Sequence, residues 1–214
     1  MREPVIIFCD FDGTITADDT IEAFMQLFIE RDIREIGYEM ARQGYTVKRA
    51  ISTMMSQIPV ERYKEQTGFF DQLAVRDGFG QFLDYCHSVG VPVVIVSGGI
   101  EQMVERTIAP WREEVLAVYS AKVDLSGTHA KIYSHYESET EMVSKPSIMK
   151  EFSYEKAICI GDSYTDLEMA ALSDVVFARD RLAEYLDTSE VAYYPYDDFH
   201  DIIKQLKILL PTLK

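Results

Sequence analysis

The sequence predicts an α/β protein whose mostly parallel sheet is flanked by helices. Four apolar runs, at residues 5–9, 91–96, 157–160 and 175–178, are rich in β-branched residues and continuous rather than alternating. That pattern is typical of strands buried on both faces. Helical periodicity lies between the runs, as at residues 77–89, where Gly90 supplies the stop. Strands that alternate with helices form parallel sheets with helices on both faces.

The segment after the first strand carries no strand pattern. Its apolar side chains recur at helical spacing instead, at Ile21, Phe24, Met25, Phe28, Ile51, Met54 and Met55. We therefore predict a helical insert at residues 16–74, and a core made of residues 1–15 and 75–214. A second, smaller insert is predicted at about 120–144, where residues 124–127 have the composition of a turn between two short strands.

The charge balance limits the partners. The 214 residues include 36 acidic and 21 basic side chains, a formal net charge of −15. Nucleic acids and anionic membrane surfaces need a basic footprint, so we expect neither as a partner. The three cysteines form no disulfide framework, and no apolar run is long enough to span a bilayer. A cytoplasmic protein is the expectation.

Polar clusters follow three of the predicted strands. They occupy residues 10–14, 97–99 and 161–166. In an open parallel sheet, ligands bind at the carboxyl ends of the strands, so all three clusters should meet in one crevice. Four carboxylates would then lie close together, those of Asp10, Asp12, Asp162 and Asp166. Their repulsion and their preference for a hard cation predict a Mg²⁺ site.

The same crevice has features that suit a phosphate group. The hydroxyl of Ser97 and the small residues Gly98 and Gly99 allow close approach, and we predict that a helix starts at these glycines. Lys145, just before a predicted helix start at Pro146, can supply a positive charge. Asp10 and Asp12, two residues apart on an extended chain, project to the same side. One can attack phosphorus while the other moves a proton.

The Asp10–Gly13 segment has two further interpretations. An EF-hand loop is rejected because its glycine belongs at the sixth position, whereas Gly13 is fourth from Asp10. A non-catalytic protein that binds phosphate, or is phosphorylated on aspartate, remains an alternative. Asp12 discriminates between these hypotheses, because a protein without turnover does not need the second carboxylate.

Together these motifs resemble the haloacid dehalogenase superfamily of phosphatases. Residues 10–14 resemble its first motif, Ser97 its second, Lys145 its third and residues 161–166 its fourth. The resemblance implies a Rossmann-like core with a helical cap, as in the phosphoserine phosphatase group. It also implies an aspartyl-phosphate intermediate on a small phosphorylated metabolite.

The resemblance further implies individual roles. Asp10 would be the nucleophile and Asp12 the general acid, then the base. Asp10, the backbone carbonyl of Asp12, and Asp162 would hold Mg²⁺ with support from Asp166. Ser97, Gly98 and Lys145 would hold the phosphate. Asp19 stands where phosphoserine phosphatases place a substrate-contacting Glu.

A closer resemblance is to the methionine-salvage phosphatases of this superfamily. It covers residues 10–16, 76–99, 145–147, 177–180 and 195–199, and implies a substrate from that pathway. Phosphoserine or another small phosphate is the alternative. Those relatives carry a cysteine-rich segment before the third-motif lysine, where this chain has residues 136–144 without cysteine. Four cap arginines are candidates to meet a substrate anion: Arg31, Arg34, Arg42 and Arg49.

Overall fold

The computed structural model describes residues 2–213 and has a seven-stranded sheet at its centre. The strands are β1 (Glu3–Cys9), β2 (Val93–Ile100), β3 (Ala117–Asp124), β4 (Lys131–Tyr133), β5 (Tyr154–Gly161), β6 (Val175–Ala178) and β7 (Tyr194–Pro195). They lie in the order β4-β3-β2-β1-β5-β6-β7. All neighbours pair in parallel except β3 and β4, which form an antiparallel hairpin. The predicted α/β class is confirmed.

Ten α-helices surround the sheet within the described residues. They are α1 (Thr20–Gln26), α2 (Ile33–Arg42), α3 (Val47–Met55), α4 (Val60–Gln66), α5 (Phe79–Ser88), α6 (Glu101–Ile108), α7 (Lys145–Met149), α8 (Leu167–Ala171), α9 (Asp180–Thr188) and α10 (Phe199–Leu213). Short 3-10 helices occupy Thr67–Gln72, Ala109–Glu114 and Tyr164–Asp166. Within residues 2–213, no helix combines the length and apolar character that a membrane span requires.

The continuous apolar strands are buried on both faces. In β1, Ile6 and Phe8 belong to one hydrophobic cluster, whereas Val5, Ile7 and Cys9 belong to the other. Successive side chains of a strand point to opposite faces, so each run must be apolar throughout. This burial fixes the carboxyl end of β1, and with it the position of residue 10.

One predicted helix start was wrong. Strand β2 continues through Gly98 and Gly99 to Ile100, and α6 begins at Glu101. Ile100 is buried and pairs with Ala121 of β3 after a register shift that follows Val96. Pairing with β3 therefore keeps the glycine segment extended, with the irregularity that glycine tolerates in a strand.

The segment predicted as a cap is helical and leaves and rejoins the core at one place. Thr16 and Val75 form an isolated β-bridge, and the amide of Arg76 donates to the carbonyl of Ile15 at 2.8 Å. The same helical segment contacts the β3–β4 hairpin, which overlaps the second insert predicted at about 120–144. The amide of Ala130 donates to the carbonyl of Ile58 at 2.9 Å, and that of Val60 to the carbonyl of Thr128 at 3.1 Å. Backbone hydrogen bonds thus join this helical segment to the loop of the hairpin.

Candidate active site

Asp10 lies at the carboxyl end of β1, in the middle of the sheet. Its amide donates to the carbonyl of Ile160 at 2.9 Å, so the backbone is held by the neighbouring strand. The residue is only 4% exposed, and Lys145 Nζ lies 2.5 Å from its Oδ1. Burial, together with the charge of Asp166, holds the pKa of Asp10 well above its ordinary value.

Asp162 and Asp166 lie beside Asp10, after the adjacent strand β5. One carboxylate oxygen from each of the three residues lies within 4.8 Å of the others. Burial and the charge of Asp166 raise the pKa of Asp162 to about 7. Three crowded, partly desolvated carboxylates are a donor set that suits a hard divalent cation, because Mg²⁺ prefers oxygen ligands. The carboxylate of Asp12 is not part of this cluster.

Asp166 is fully buried and satisfied by protein groups. Its Oδ2 accepts the backbone N–H groups of Asp162 and Ser163, each at 3.0 Å. Its Oδ1 accepts from Lys145. Asp166 therefore shapes the loop that presents Asp162 and also orients the lysine.

Lys145 forms ion pairs with an aspartate of the first motif and an aspartate of the fourth. It begins α7, which is capped by the hydroxyl of Ser144, and its side chain is 3% exposed. Burial alone would lower its pKa, but the carboxylates of Asp10 and Asp166 raise the pKa above its ordinary value. The lysine is thus held charged between two acids, 135 residues and 21 residues away in sequence.

Asp12 is held by two hydroxyl groups. Its Oδ2 accepts from Ser97 Oγ at 3.0 Å, and its Oδ1 accepts from the backbone N–H of Thr20 at 3.1 Å and from the Thr20 hydroxyl. Burial raises the pKa of Asp12, and the hydrogen bonds from Thr20 and Ser97 oppose that shift. A carboxyl whose protonated form is favoured by burial is suited to donating a proton.

The predicted phosphate residues take different positions. Gly98 and Lys145 line the cavity above the carboxylates, as do Asp10, Asp12 and Asp162. Ser97 is fully buried, and its hydroxyl accepts from the N–H of Gly99 at 2.8 Å while it donates to Asp12. In this structure the Ser97 hydroxyl positions Asp12, and its contact with phosphate stays a prediction.

Asp19 lies near the start of the segment predicted as a cap, just before α1. It caps α1 by accepting the N–H of Glu22 at 3.0 Å, and it lines the same cavity. Burial, together with Asp12, raises the pKa of Asp19 to about 7. None of the four cap arginines lines this cavity. Arg31 pairs with Glu39 and Arg34 with Glu22.

Gly13 allows the first and fourth motifs to come together. Its φ is +78°, and a Cβ atom there would come within 2.9 Å of Asp162 Cγ. Only glycine can adopt this positive φ and leave this space to Asp162 without strain. The glycine at the fourth position of the first motif therefore has a steric cause in this chain, because the residue there must leave room for Asp162.

Sequence reasoning missed three residues of the site. Thr20 binds Asp12, Glu141 lines the cavity, and Arg76 holds the loop after β1. Thr20 is the first residue of a helix that begins after an Asp cap, and that pattern was readable. Glu141 and Arg76 carry no local signal, because their roles arise only from the return of distant segments to β1.

Arg76 binds several carbonyl groups of that loop. Its Nη2 donates to the carbonyl of Gly13 at 2.7 Å and its Nε to that of Thr14 at 2.9 Å. Replacing Arg76 with Ala leaves these half-buried acceptors unpaired, so we expect the free energy of unfolding to fall by about 2–3 kcal/mol. Urea denaturation measures this change in the free energy of unfolding. Arg31→Ala, which breaks an exposed pair, is the control and should change stability far less than Arg76→Ala. Equal losses would contradict this role.

Comparison with known proteins agrees with this geometry. The family model described as haloacid dehalogenase-like hydrolase matches residues 7–171. A relative from Microcystis aeruginosa (strain NIES-843 / IAM M-2473), named 2-hydroxy-3-keto-5-methylthiopentenyl-1-phosphate phosphatase, is 35% identical over 94% of this chain and 97% of its own length. A protein of the same name from Lysinibacillus sphaericus (strain C3-41) is 34% identical, with coverages of 97% and 96%.

Solved structures show the same fold. The phosphoserine phosphatase from T. onnurineus has a TM-score of 0.72 at 14% identity, covering 97% of this chain and 95% of that chain. A phospho-aspartyl intermediate analogue of phosphoserine phosphatase has a TM-score of 0.71 at 14% identity, with coverages of 96% and 99%. At this identity the likeness shows the fold alone, and it confirms the core expected from the motifs.

Proposed function

Because the chain belongs to the haloacid dehalogenase-like hydrolase family, and its relatives are phosphatases, we propose that it hydrolyses a small phosphorylated metabolite through an aspartyl-phosphate intermediate, an acyl phosphate, on Asp10. One observation carries the proposal. The carboxylate of Asp10, buried at the end of the central strand, lies beside the buried side chain of Lys145. Asp12, two residues later in the chain, lines the same cavity as Asp10.

The residues can divide the reaction into two steps. In the first, an oxygen of Asp10 attacks phosphorus, the bond to the leaving oxygen breaks, and Asp12 gives that oxygen its proton. In the second, Asp12 takes a proton from water as the water attacks phosphorus, and Asp10 is released. Lys145 stabilises negative charge on the phosphoryl oxygens from a fixed position. Ser97 and Thr20 keep the Asp12 carboxyl in place.

Mg²⁺ is the proposed cofactor. Asp10 and Asp162 would hold it, with Asp166 in support and the backbone carbonyl of Asp12 as a further oxygen. The crowding of three carboxylates, and the raised pKa values of Asp10 and Asp162, fit a site that is completed by a cation. When bound, the ion supplies positive charge that neutralises the phosphoryl group.

The substrate proposed first is 2-hydroxy-3-keto-5-methylthiopentenyl-1-phosphate. Two relatives that match nearly the whole chain carry the name of that phosphatase. Phosphoserine is the alternative, since phosphoserine phosphatases are among the solved structures with this fold. Residues 16–74 would act as the cap that closes over the cavity and reads the leaving group.

The test is a panel of phosphorylated metabolites that includes both substrates, with detection of free phosphate. We expect turnover with MgCl₂ and its loss when EDTA removes the metal, and highest kcat/KM for the methylthio substrate. Preference for phosphoserine would overturn the substrate assignment. Phosphate release from no ester would leave the non-catalytic hypothesis, in which Asp10 only binds or carries phosphate.

A further inference from the structure

The loop that follows β7 lies beside the carboxylate cluster, although it contributes no carboxylate to it. Gly161 at the end of β5 pairs with Ala178 of β6, and Ala178 pairs with Pro195 of β7. This register puts Tyr196, the next residue, at the carboxyl edge of the sheet, where the cluster lies. Tyr196 is 4% exposed, and its hydroxyl lies 3.3 Å from the carbonyl oxygen of Gly161 and 3.5 Å from Thr14 Oγ1. The side chain thus reaches from β7 to the segments that end β5 and follow β1.

Thr14 connects this hydroxyl to the cluster. Its side chain is fully buried, and its hydroxyl donates to Asp162 Oδ1 at 3.3 Å while it accepts from Tyr196. An alcohol has one proton to donate, so accepting from Tyr196 leaves the proton of Thr14 for the carboxylate. The three groups form a chain of hydrogen bonds, in which Tyr196 directs the Thr14 hydroxyl and Thr14 directs the Asp162 carboxylate.

Asp162 depends on this chain more than the other members of the cluster do. Asp10 and Asp166 each accept from Lys145, and Asp166 also accepts two backbone N–H groups. Among the described residues, the Asp162 carboxylate accepts one hydrogen bond, the one from Thr14. Asp162 is also the member that is only partly buried. The hydrogen bond from Thr14 therefore determines where the Asp162 oxygens point toward a cation.

Two arginines hold the loop after β7 in place. The guanidinium groups of Arg76 and Arg179 both donate to the carbonyl of Asp197, at 3.3 and 2.9 Å. The guanidinium of Arg179 also lies 5.7 Å from the centre of the Tyr196 ring. Arg76 donates in addition to the carbonyl of Thr14 at 2.9 Å. Arg76 thus fixes both the loop that carries Tyr196 and the loop that carries Thr14, which keeps their hydroxyl groups in contact.

We propose that Tyr196 is a positioning residue for the metal site, and that through Thr14 it holds the Asp162 carboxylate in the orientation that binds Mg²⁺. This inference rests on the proposed function, which supplies the ion and the role of Asp162. It adds to the motif residues a side chain from near the other end of the chain that touches neither the substrate nor the ion. Groups that orient metal ligands change metal affinity by about 10–100-fold when they are removed.

Two substitutions of Thr14 separate the effect of its hydroxyl from that of its volume. Thr14→Val keeps the shape but removes the hydroxyl, and we expect it to raise the Mg²⁺ dissociation constant about ten-fold. Thr14→Ser keeps the hydroxyl but loses a methyl group, and we expect the constant to stay within about two-fold of its original value. Calorimetric titration of the metal-free protein with MgCl₂, without substrate, measures both. The reverse order of affinities would show that packing is responsible, and would overturn the inference.

Tyr196→Phe removes the hydroxyl at the far end of the chain of hydrogen bonds and leaves the ring. We expect the Mg²⁺ dissociation constant, and the MgCl₂ concentration for half-maximal phosphate release, to rise about three-fold or more. At saturating MgCl₂, kcat should stay within about two-fold of its original value, because Tyr196 touches no reacting atom. Since Tyr196 acts through Thr14, Tyr196→Phe should change the dissociation constant little further when Thr14→Val is already present.

Two other tyrosines provide matched controls. The Tyr193 hydroxyl, in the same segment of the chain, donates to Asp187, a carboxylate outside the cluster. Tyr63 is fully buried, and its hydroxyl has no hydrogen-bond partner among the described residues. Tyr193→Phe and Tyr63→Phe therefore remove a hydroxyl without touching the chain that ends at Asp162, and both should leave the Mg²⁺ dissociation constant unchanged.

The outcomes separate this inference from the function on which it rests. Unchanged Mg²⁺ affinity in Tyr196→Phe, additive effects of Tyr196→Phe and Thr14→Val, or an equal effect of Tyr193→Phe would each overturn the positioning role and leave the phosphatase intact. If Mg²⁺ affinity depended on Tyr196 as expected but no ester released phosphate, the proposed function would fail and the positioning role would stand.

Discussion

Replacing Asp10 with Asn is expected to lower turnover by a factor on the order of 10⁴ or more, with Mg²⁺ present. The amide is neutral and cannot form the aspartyl phosphate on which the proposed reaction depends. Asp166 also belongs to the carboxylate cluster and contacts Lys145, but it is fully buried and its Oδ2 is bound by two backbone N–H groups, so it does not take the place of Asp10. Phosphate release from the preferred substrate of the panel measures the effect.

Asp10→Asn has two controls, its own stability and the replacement of an exposed carboxylate elsewhere in the core. Burial disfavours the charged form of Asp10, so the neutral Asn side chain should not lower the urea midpoint of the metal-free protein. Asp84→Asn, on the exposed face of α5, should leave activity unchanged. In Asp12→Asn the nucleophile remains, and a phosphorylated protein should build up, visible by intact-mass spectrometry. Retained turnover in Asp10→Asn would remove this residue as the nucleophile.

Replacing Lys145 with Met should affect both stability and activity. The substitution leaves the buried Asp10 and Asp166 without their shared cation, and we expect a loss of about 3–5 kcal/mol in the free energy of unfolding without metal. Because the charge that faces the phosphoryl group also disappears, kcat/KM should fall by about 10²–10³-fold. Urea unfolding and phosphate-release kinetics measure the two effects.

A second lysine–aspartate pair gives the matched control. Lys156 and Asp174 are 2.7 Å apart, but the lysine side chain is 45% exposed. Lys156→Met should therefore change stability by no more than about 1 kcal/mol and leave turnover unaltered. If Lys145→Met were equally mild, the buried lysine would be neither a structural counter-ion nor a phosphate ligand.

The sheet was predictable because a strand that is buried on both faces appears in the sequence as a continuous apolar run. A strand such as β1 must be apolar throughout, and the polar residues that follow it must then lie at the carboxyl edge. The end of β2 was not predictable. Gly98 and Gly99 suit a helix start or an irregular strand equally well, and the pairing of Ile100 with Ala121 decides in favour of the strand.

The sequence by itself determined the fold class and the residues that meet at the strand ends, because hydrophobic periodicity and motif order are local properties. Only the tertiary structure decided which contacts those residues make with one another. It turned Ser97 toward Asp12, placed Lys145 between two acids, and brought Glu141 and the apolar faces of α1 and α3 around the cavity above the carboxylates. Such contacts join segments far apart in the chain, and no local pattern records which distant side chain will fill a given space.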